Sequence, residues 1–213
     1  LCTVLIFAFL PSFCFAENGE SLEFEKNVSL LNLAGVVSQT SFSDAELLAN
    51  VSRADFLYYV SKLLKIEEQP NVDEEYFTDL EGHWAGKLVS RFVQMGVISP
   101  GDDRIFRPED AVTRDEAAKI ITSVLGYDAL ARVNGGYPSG YLLIMSRLGI
   151  FPNGVGENIT FAEVIYALAN ALEAPCYEIK SLEGGTVYYE QDGENTLLKV
   201  YHGIKSDEGY VTS

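Results

Sequence analysis

The chain is short of positive charge, histidine, cysteine and tryptophan. Only 15 Lys+Arg stand against 31 Asp+Glu, a formal net charge of −16 over 213 residues. A surface that binds duplex nucleic acid without sequence preference needs clustered Lys/Arg to displace counterions, so the composition argues against a nucleic-acid partner. Two histidines and three cysteines leave little material for a metal site or a catalytic triad. His83 has no second His or Cys at ligand spacing, and His202 stands in a polar stretch. The acidic group Asp102-Asp103-Arg104 ahead of Glu109-Asp110 lacks the alternating oxygen ligands and the glycine of a calcium loop. No phosphate loop, nucleophile elbow or Cys-x-x-Cys occurs. The expectation is a protein that is not an enzyme and carries no cofactor or metal. Apolar residues are not scarce: at 47% they suffice for a globular core.

Residues 1–16, LCTVLIFAFLPSFCFA, carry no charge and are followed by Glu17. The run suits the apolar region of a signal peptide and falls short of the roughly 20 residues of a membrane span. Pro11 and the ending Cys14-Phe15-Ala16 place cleavage after Ala16. A buried core helix is the competing reading, although the run has no amphipathic pattern. Bulky Phe13 argues against a lipid on Cys14. With no Met and no basic segment ahead of it, the run reads as a signal-peptide remnant. An exported protein with no membrane span after cleavage is expected. Its mature part keeps only Cys176, so a core rather than disulfides stabilises it, with Cys176 packed as a small hydrophobe.

Internal repetition is the strongest pattern. Val51-Ser52-Arg53-Ala54-Asp55-Phe56, Val112-Thr113-Arg114-Asp115-Glu116-Ala117 and Ile159-Thr160-Phe161-Ala162-Glu163-Val164 share one grammar. In each, a hydroxyl residue is followed three positions on by a carboxylate, the spacing of a capping box. The Ser/Thr oxygen accepts from an orphan backbone N–H, and the acid reaches back to the cap's own N–H. A β-branched residue precedes each cap, as a hydrophobic staple requires. Apolar residues then recur at helical spacing, as in Phe56, Leu57, Val60 and Leu63, or Ala117, Ile120, Ile121 and Val124, or Val164, Leu168, Ala171 and Leu172. Upstream of each lies another apolar segment that ends in glycine: Gly35-Val36-Val37, Gly96-Val97-Ile98 and Gly149-Ile150-Phe151. The unit is helix, glycine, loop, capped helix, three times over. No single unit can bury its apolar faces alone, so the three are expected to share one core.

Phe77-Thr78-Asp79-Leu80-Glu81-Gly82-His83-Trp84-Ala85, then Gly96-Val97-Ile98, Phe106-Arg107-Pro108 and Val112-Thr113-Arg114-Asp115-Glu116, resembles an S-layer homology domain. The resemblance is strong over residues 76–127, and residues 24–66 and 135–174 resemble weaker copies. It implies an all-α fold of three helix-loop-helix repeats packed as a pseudo-threefold, three-pronged module. It also implies a non-covalent anchor that holds an exported protein to a secondary polysaccharide of a bacterial cell wall, often one bearing a pyruvate ketal. The location that follows is the cell wall or cell surface.

The residues supply a partial physical reason. Arginine is poorly placed in the first turn of a helix, where the macrodipole prefers anions, yet Arg53 and Arg114 both follow a cap directly. A helix N-terminus with a guanidinium makes a receptor for a carboxylate or ketal acid. Trp84 offers a face for a sugar ring, and Asp79 an acceptor for a sugar hydroxyl. The bland alternatives are that Trp84 is core, Asp79 caps the helix it precedes, and Arg114 pairs with a neighbouring acid. Departures from the family pattern are visible: Pro100 and Arg104 stand where glycines are usual, Phe161 replaces the arginine of the third unit, and Tyr137 and Glu23 occupy the Trp84 position. A scaffold that has lost glycan binding is therefore the competing function, and an anchor for an exported enzyme domain lying elsewhere is a third.

The acidic run from Glu67 to Glu81 reads as a solvated linker. Beyond residue 175 the pattern changes. Thr186-Val187-Tyr188-Tyr189 and Leu197-Leu198-Lys199-Val200-Tyr201 read as strands joined by a turn at Gln191-Asp192-Gly193-Glu194-Asn195, with a third strand at residues 209–213. Residues 176–213 are thus expected to begin a small β segment.

Overall fold

The computed structural model describes residues 19–66, 76–151, 157–183 and 186–204. The leader, most of the acidic linker and the third expected strand lie outside the described residues. The order is α1 (Gly19–Leu33), α2 (Asp44–Leu48), α3 (Arg53–Leu63), a 3₁₀ turn (Thr78–Leu80), α4 (Gly86–Gln94), α5 (Arg114–Val124), α6 (Asp128–Val133), α7 (Ser139–Arg147), α8 (Phe161–Glu173), β1 (Pro175–Glu183), β2 (Thr186–Thr196) and α9 (Leu197–His202). The fold is all-α with one small antiparallel hairpin. Among the described residues no helix is long and apolar enough to cross a membrane.

Local chemistry explains where the helices begin and end. Thr113 and Thr160 close full capping boxes with Glu116 and Glu163, and Ser43 does the same with Glu46 at α2. At α3 the box is only half made. Ser52 Oγ accepts from Asp55 N–H, while the shorter Asp55 carboxylate takes the Ser52 hydroxyl at 2.7 Å. α1, α4 and α7 leave through one turn in which Gly35, Gly96 and Gly149 sit at φ +73, +73 and +66°. Val36, Val97 and Ile150 N–H reach back five residues to Leu31, Phe92 and Met145 carbonyls at 2.8, 3.0 and 3.0 Å. These are Schellman ends, where only glycine adopts the left-handed step without strain.

The residue ahead of each cap does more than staple its own helix. Val51, Val112 and Ile159 are buried and bonded to one another in a closed ring. Val51 N–H donates to Ile159 O (3.3 Å), Ile159 N–H to Val112 O (3.2 Å) and Val112 N–H to Val51 O (2.9 Å). An outer set repeats the cycle: Arg53 N–H to Asp110 O (2.9 Å), Arg114 N–H to Glu157 O (2.8 Å) and Phe161 N–H to Ala49 O (2.9 Å). Three short extended segments thus satisfy each other's backbone groups at a pseudo-threefold junction, and α3, α5 and α8 radiate from it. Burial here requires such pairing, since an orphaned backbone group in the core costs about as much as a lost hydrogen bond.

One contiguous core runs through the described helices, with Phe56, Phe92, Ile121, Met145 and Ile159 fully buried. Trp84 is not among them. The C-terminal part differs from the sequence expectation. Leu197 to Tyr201 is helical, capped by Thr196 Oγ1 and ended by Gly203 in the left-handed region, and Leu197 and Leu198 are buried in the core. The partner of β2 is β1, so residues 191–195 lie within a strand rather than at a turn. The hairpin is rooted on α5 and α6: Tyr177 N–H donates to Leu125 O at 2.9 Å, Tyr127 Oη to Pro175 O at 2.9 Å, and the two tyrosine rings stack at 4.7 Å. Cys176 is buried at this root, as a small hydrophobe would be.

Candidate functional site

The first residue of each capped helix is carried against the next helix around the junction. Arg53 crosses from α3 to α5. Its Nε donates to the Phe106 carbonyl at 2.8 Å, its Nη1 pairs with Glu116, and its guanidinium lies 4.8 Å from the Phe106 ring centroid. Arg114 makes the same step from α5 to α8, with Nη2 donating to Glu163 Oε1 at 2.6 Å and the guanidinium 5.3 Å from the Phe151 ring. The third step, from α8 to α3, is made by Phe161, which meets Phe42 and Tyr59 at 5.1 and 5.6 Å. Each glutamate works in two directions: Glu116 Oε2 accepts from Thr113 N–H (3.0 Å) and Glu163 Oε2 from Thr160 N–H (2.9 Å), while the other oxygen holds the neighbour's arginine. This is why arginine is tolerated at a helix start, where its own dipole disfavours it.

The two arginines are not equally accessible. Side-chain exposure is 24% at Arg53 and 15% at Arg114. Burial, with Arg107 adding repulsion, holds the Arg53 guanidinium below its ordinary pKa, and it stays charged. Nε and Nη1 of Arg114 are buried without a hydrogen-bond partner.

Two clefts open beside these crossings. The larger, of about 490 Å³, lies between the loop after Gly35, the face of α3 that carries Tyr58, Tyr59 and Lys62, and Phe161 at its end. The smaller, of about 190 Å³, lies between Val97-Ile98-Ser99 and the face of α5 that carries Glu116 and Lys119, with Arg53 and Tyr137 closing it. The two share one plan: a loop after a Schellman glycine, a capped helix, and a first-turn residue from the preceding helix of the ring.

The four sequence candidates are therefore dispersed. Arg53 lines the smaller cleft, and Arg114 stands at the separate crossing onto α8. Trp84 is exposed (55%) and meets Tyr58 of the larger cleft edge-on at 6.2 Å. Asp79 does not cap the helix it precedes, since α4 begins with no side-chain cap. It accepts from Phe106 N–H (2.8 Å) and Arg107 N–H (2.6 Å), and so fixes the loop on which Arg53 rests. Burial alone would raise the Asp79 pKa, but the N–H groups of Phe106, Arg107 and Asp79 itself outweigh it and hold the carboxyl below its usual value. Asp79 and Arg53 are joined through Phe106; Trp84 and Arg114 belong elsewhere. Arg104, at a position where glycine is usual, adopts φ +51° and its carbonyl accepts from Thr78 N–H at 2.9 Å. Sequence reasoning missed Tyr58, Tyr59, Lys62 and Lys119 as cleft residues, because each lies on the same helix as core positions and only the neighbouring unit turns that face into a wall. Among the described residues no cluster of His, Cys, Asp or Glu is placed to hold a metal.

The three-way junction of α3, α5 and α8 and the clefts beside it can be compared with known proteins. The S-layer homology domain family matches residues 76–118, from the 3₁₀ turn into α5. Residues 76–118 carry the likeness to that family. The chain is similar to a cellulosome-anchoring protein of Acetivibrio thermocellus, 32% identical over 101 residues, covering 47% of this chain and 22% of that protein. A middle cell wall protein of Brevibacillus brevis is 25% identical over 184 residues, 84% of this chain and 17% of that protein. A surface layer protein of Brevibacillus choshinensis is 26% identical over 182 residues, covering 83% and 16%. The chain thus spans only a small part of the length of these relatives.

Proposed function

We propose that the protein is an exported cell-surface component whose residues 24–66, 76–127 and 135–174 form three S-layer homology units anchoring it to a polysaccharide of the bacterial wall. It acts by binding and not by catalysis. The observation that carries this reading is the smaller cleft. There a partly desolvated guanidinium (Arg53), an ammonium (Lys119) and an exposed aromatic ring (Tyr137) line one cleft with Glu116, beside a backbone turn. Such a set suits a sugar bearing a carboxylate or pyruvate ketal: the cations take the acid and the ring takes the sugar face. Arg114 is the second candidate for an acid, exposed Trp84 beside Tyr58 offers a face to a sugar, and Asp79 positions Arg53 through Phe106. With a net charge of −16, attraction of an anionic polymer over distance is unavailable, so recognition is local.

A second reading has its own observation. Glu116 and Glu163 already neutralise Arg53 and Arg114, as a scaffold without a glycan ligand would require. Co-sedimentation with purified Gram-positive walls, before and after removal of their secondary polymer, separates the two. The anchor reading expects sedimentation that needs the polymer and weakens about tenfold or more in Arg53→Ala, a loss of roughly 1.4 kcal/mol or above. A folded protein that stays in solution with every wall preparation supports the scaffold.

A further inference from the structure

The ring of first-turn residues is broken at one step, and the break changes the chemistry of the larger cleft. Where the other two crossings place Arg53 and Arg114, this one places Phe161, packed edge-on against Phe42 and tilted against Tyr59. The carboxylate that corresponds to Glu116 is Asp55, which faces no arginine here and takes the Ser52 hydroxyl instead. Glu46, on the opposite wall, is occupied only by Ser43. The cleft's cation, Lys62, lies with its Nζ 5.0 Å from the centroid of the Tyr58 ring. Two carboxylates against one ammonium make this cleft unfavourable to an anion, the reverse of the Arg53 cleft. Its remaining equipment is aromatic and hydrogen-bonding. Tyr58 is exposed, Trp84 stands edge-on to it, and Gln39, Asn50 and Ser38 supply amide and hydroxyl groups. A volume of about 490 Å³ falls within the roughly 300–1,000 Å³ usual for small-molecule clefts.

We infer that the larger cleft binds an uncharged pyranose unit of a glycan, stacked on Tyr58 with Trp84 at the rim and with its hydroxyls on Asp55 and Glu46, and that it discriminates against acid-bearing sugars. The inference rests on the anchoring reading and assigns a substrate class to one of its clefts. The two clefts then divide the work: the Arg53 cleft takes the acid-bearing unit, and the Phe161 cleft takes a neutral unit of the same or a neighbouring chain. Carboxylate acceptors and flat rings are what a neutral sugar offers itself to, since its hydroxyls donate and its C–H faces are apolar. Discrimination arises from repulsion as well as attraction, because an acid-bearing sugar would bring a like charge against Asp55 and Glu46.

Trp84 is the single tryptophan of the sequence and stands edge-on to Tyr58 at the rim of this cleft, so indole emission is read beside it. The whole chain is titrated with a methyl N-acetylhexosaminide and, separately, with its pyruvate ketal, following Trp84 emission and its quenching by acrylamide. The neutral glycoside is expected to shift the emission and shield the indole, with a Kd at least about tenfold lower than that of the ketal. Phe161→Arg should reverse that preference, and Tyr58→Ala should abolish the neutral response while leaving the far-ultraviolet circular dichroism unchanged. If wall co-sedimentation persists but Trp84 is silent to the neutral glycoside, or responds better to the ketal, the inference is overturned and the anchoring reading stands. If emission changes with protein concentration in the absence of sugar, a second copy covers the cleft and the inference also fails. Loss of co-sedimentation on every wall sinks the anchoring reading and this inference with it.

Discussion

Replacing Glu163 by alanine removes two interactions at once, and their sizes can be worked from the geometry. The carboxylate closes the capping box of α8 by accepting Thr160 N–H at 2.9 Å, and removal of such a contact costs about 1 kcal/mol. It is also the carboxylate that holds the Arg114 guanidinium, at 2.6 Å, with side-chain exposures of 15 and 17% for the pair. Breaking a fully buried ion pair from one side costs about 3–5 kcal/mol, so this mostly buried one should cost about 2–3 kcal/mol. Nε and Nη1 of Arg114 have no hydrogen-bond partner to fall back on, so the penalty is not relieved locally. The sum, about 3–4 kcal/mol, corresponds to a fall in Tm of about 6–16 °C for a chain of this size. Urea unfolding followed by both circular dichroism and Trp84 emission measures it. Adding Arg114→Met to Glu163→Ala should recover about 1–2 kcal/mol, because the uncompensated charge disappears. A single variant within about 0.5 kcal/mol of the parent, or a double variant no better than the single, would show that the crossing onto α8 is not an ion pair of this kind.

Four further outcomes follow from other contacts. Gly126→Ala places a Cβ 2.1 Å from the Tyr177 carbonyl oxygen at φ +87°, so the hairpin root must move; a loss of about 2 kcal/mol or more is expected in the same urea assay, and a neutral result would show the root is loose. Asp79→Ala frees Phe106 and Arg107 N–H and should lower stability by about 1–3 kcal/mol while weakening wall binding through Arg53, which a binding assay on the folded variant checks. Burial and the neighbouring Cys176 push the Tyr127 pKa up to about 12, so between pH 10 and 12 the unfolded chain has lost this proton and the folded chain has not. Stability therefore declines with rising pH in that window by about 1.4 kcal/mol per unit from this group, and Tyr127→Phe, weaker than the parent at pH 8, should close the gap at pH 11. Cys176, buried at the hairpin root, should react with a thiol reagent only as fast as the protein unfolds, tested in a chain whose Cys2 and Cys14 are serine.

The helices were legible in the sequence wherever their signals are local. Thr113 with Glu116, Thr160 with Glu163, and the glycines at 35, 96 and 149 act within one turn, so spacing alone finds them. The half-made box at Ser52 shows the limit of that reading, because one methylene decides whether an acid reaches the cap's own N–H. Leu197 to Tyr201 was misread because a short apolar run fits a buried strand and a short helix equally. Thr196 before it and Gly203 after it were the better signal. The ring of Val51, Val112 and Ile159 and the two clefts were not legible, since they exist only between units. The substitution of Phe161 for arginine was visible, but that it exchanges an ion pair for an aromatic wall is a fact of three-dimensional neighbours.

The closed ring also bears on the order in which the chain takes shape. Val112 can bond to Val51 as soon as both are present, but Val51 N–H and Val112 O stay unsatisfied until Ile159 arrives, and the segments it joins are far apart in sequence. Contacts of that range form late and slowly, because loop-closure entropy must be met first. A chain delivered N-terminus first, from a ribosome or through a translocation pore, therefore cannot lock until residues near α8 have emerged. Until then the junction stays open, and it closes only when all three segments are on the same side.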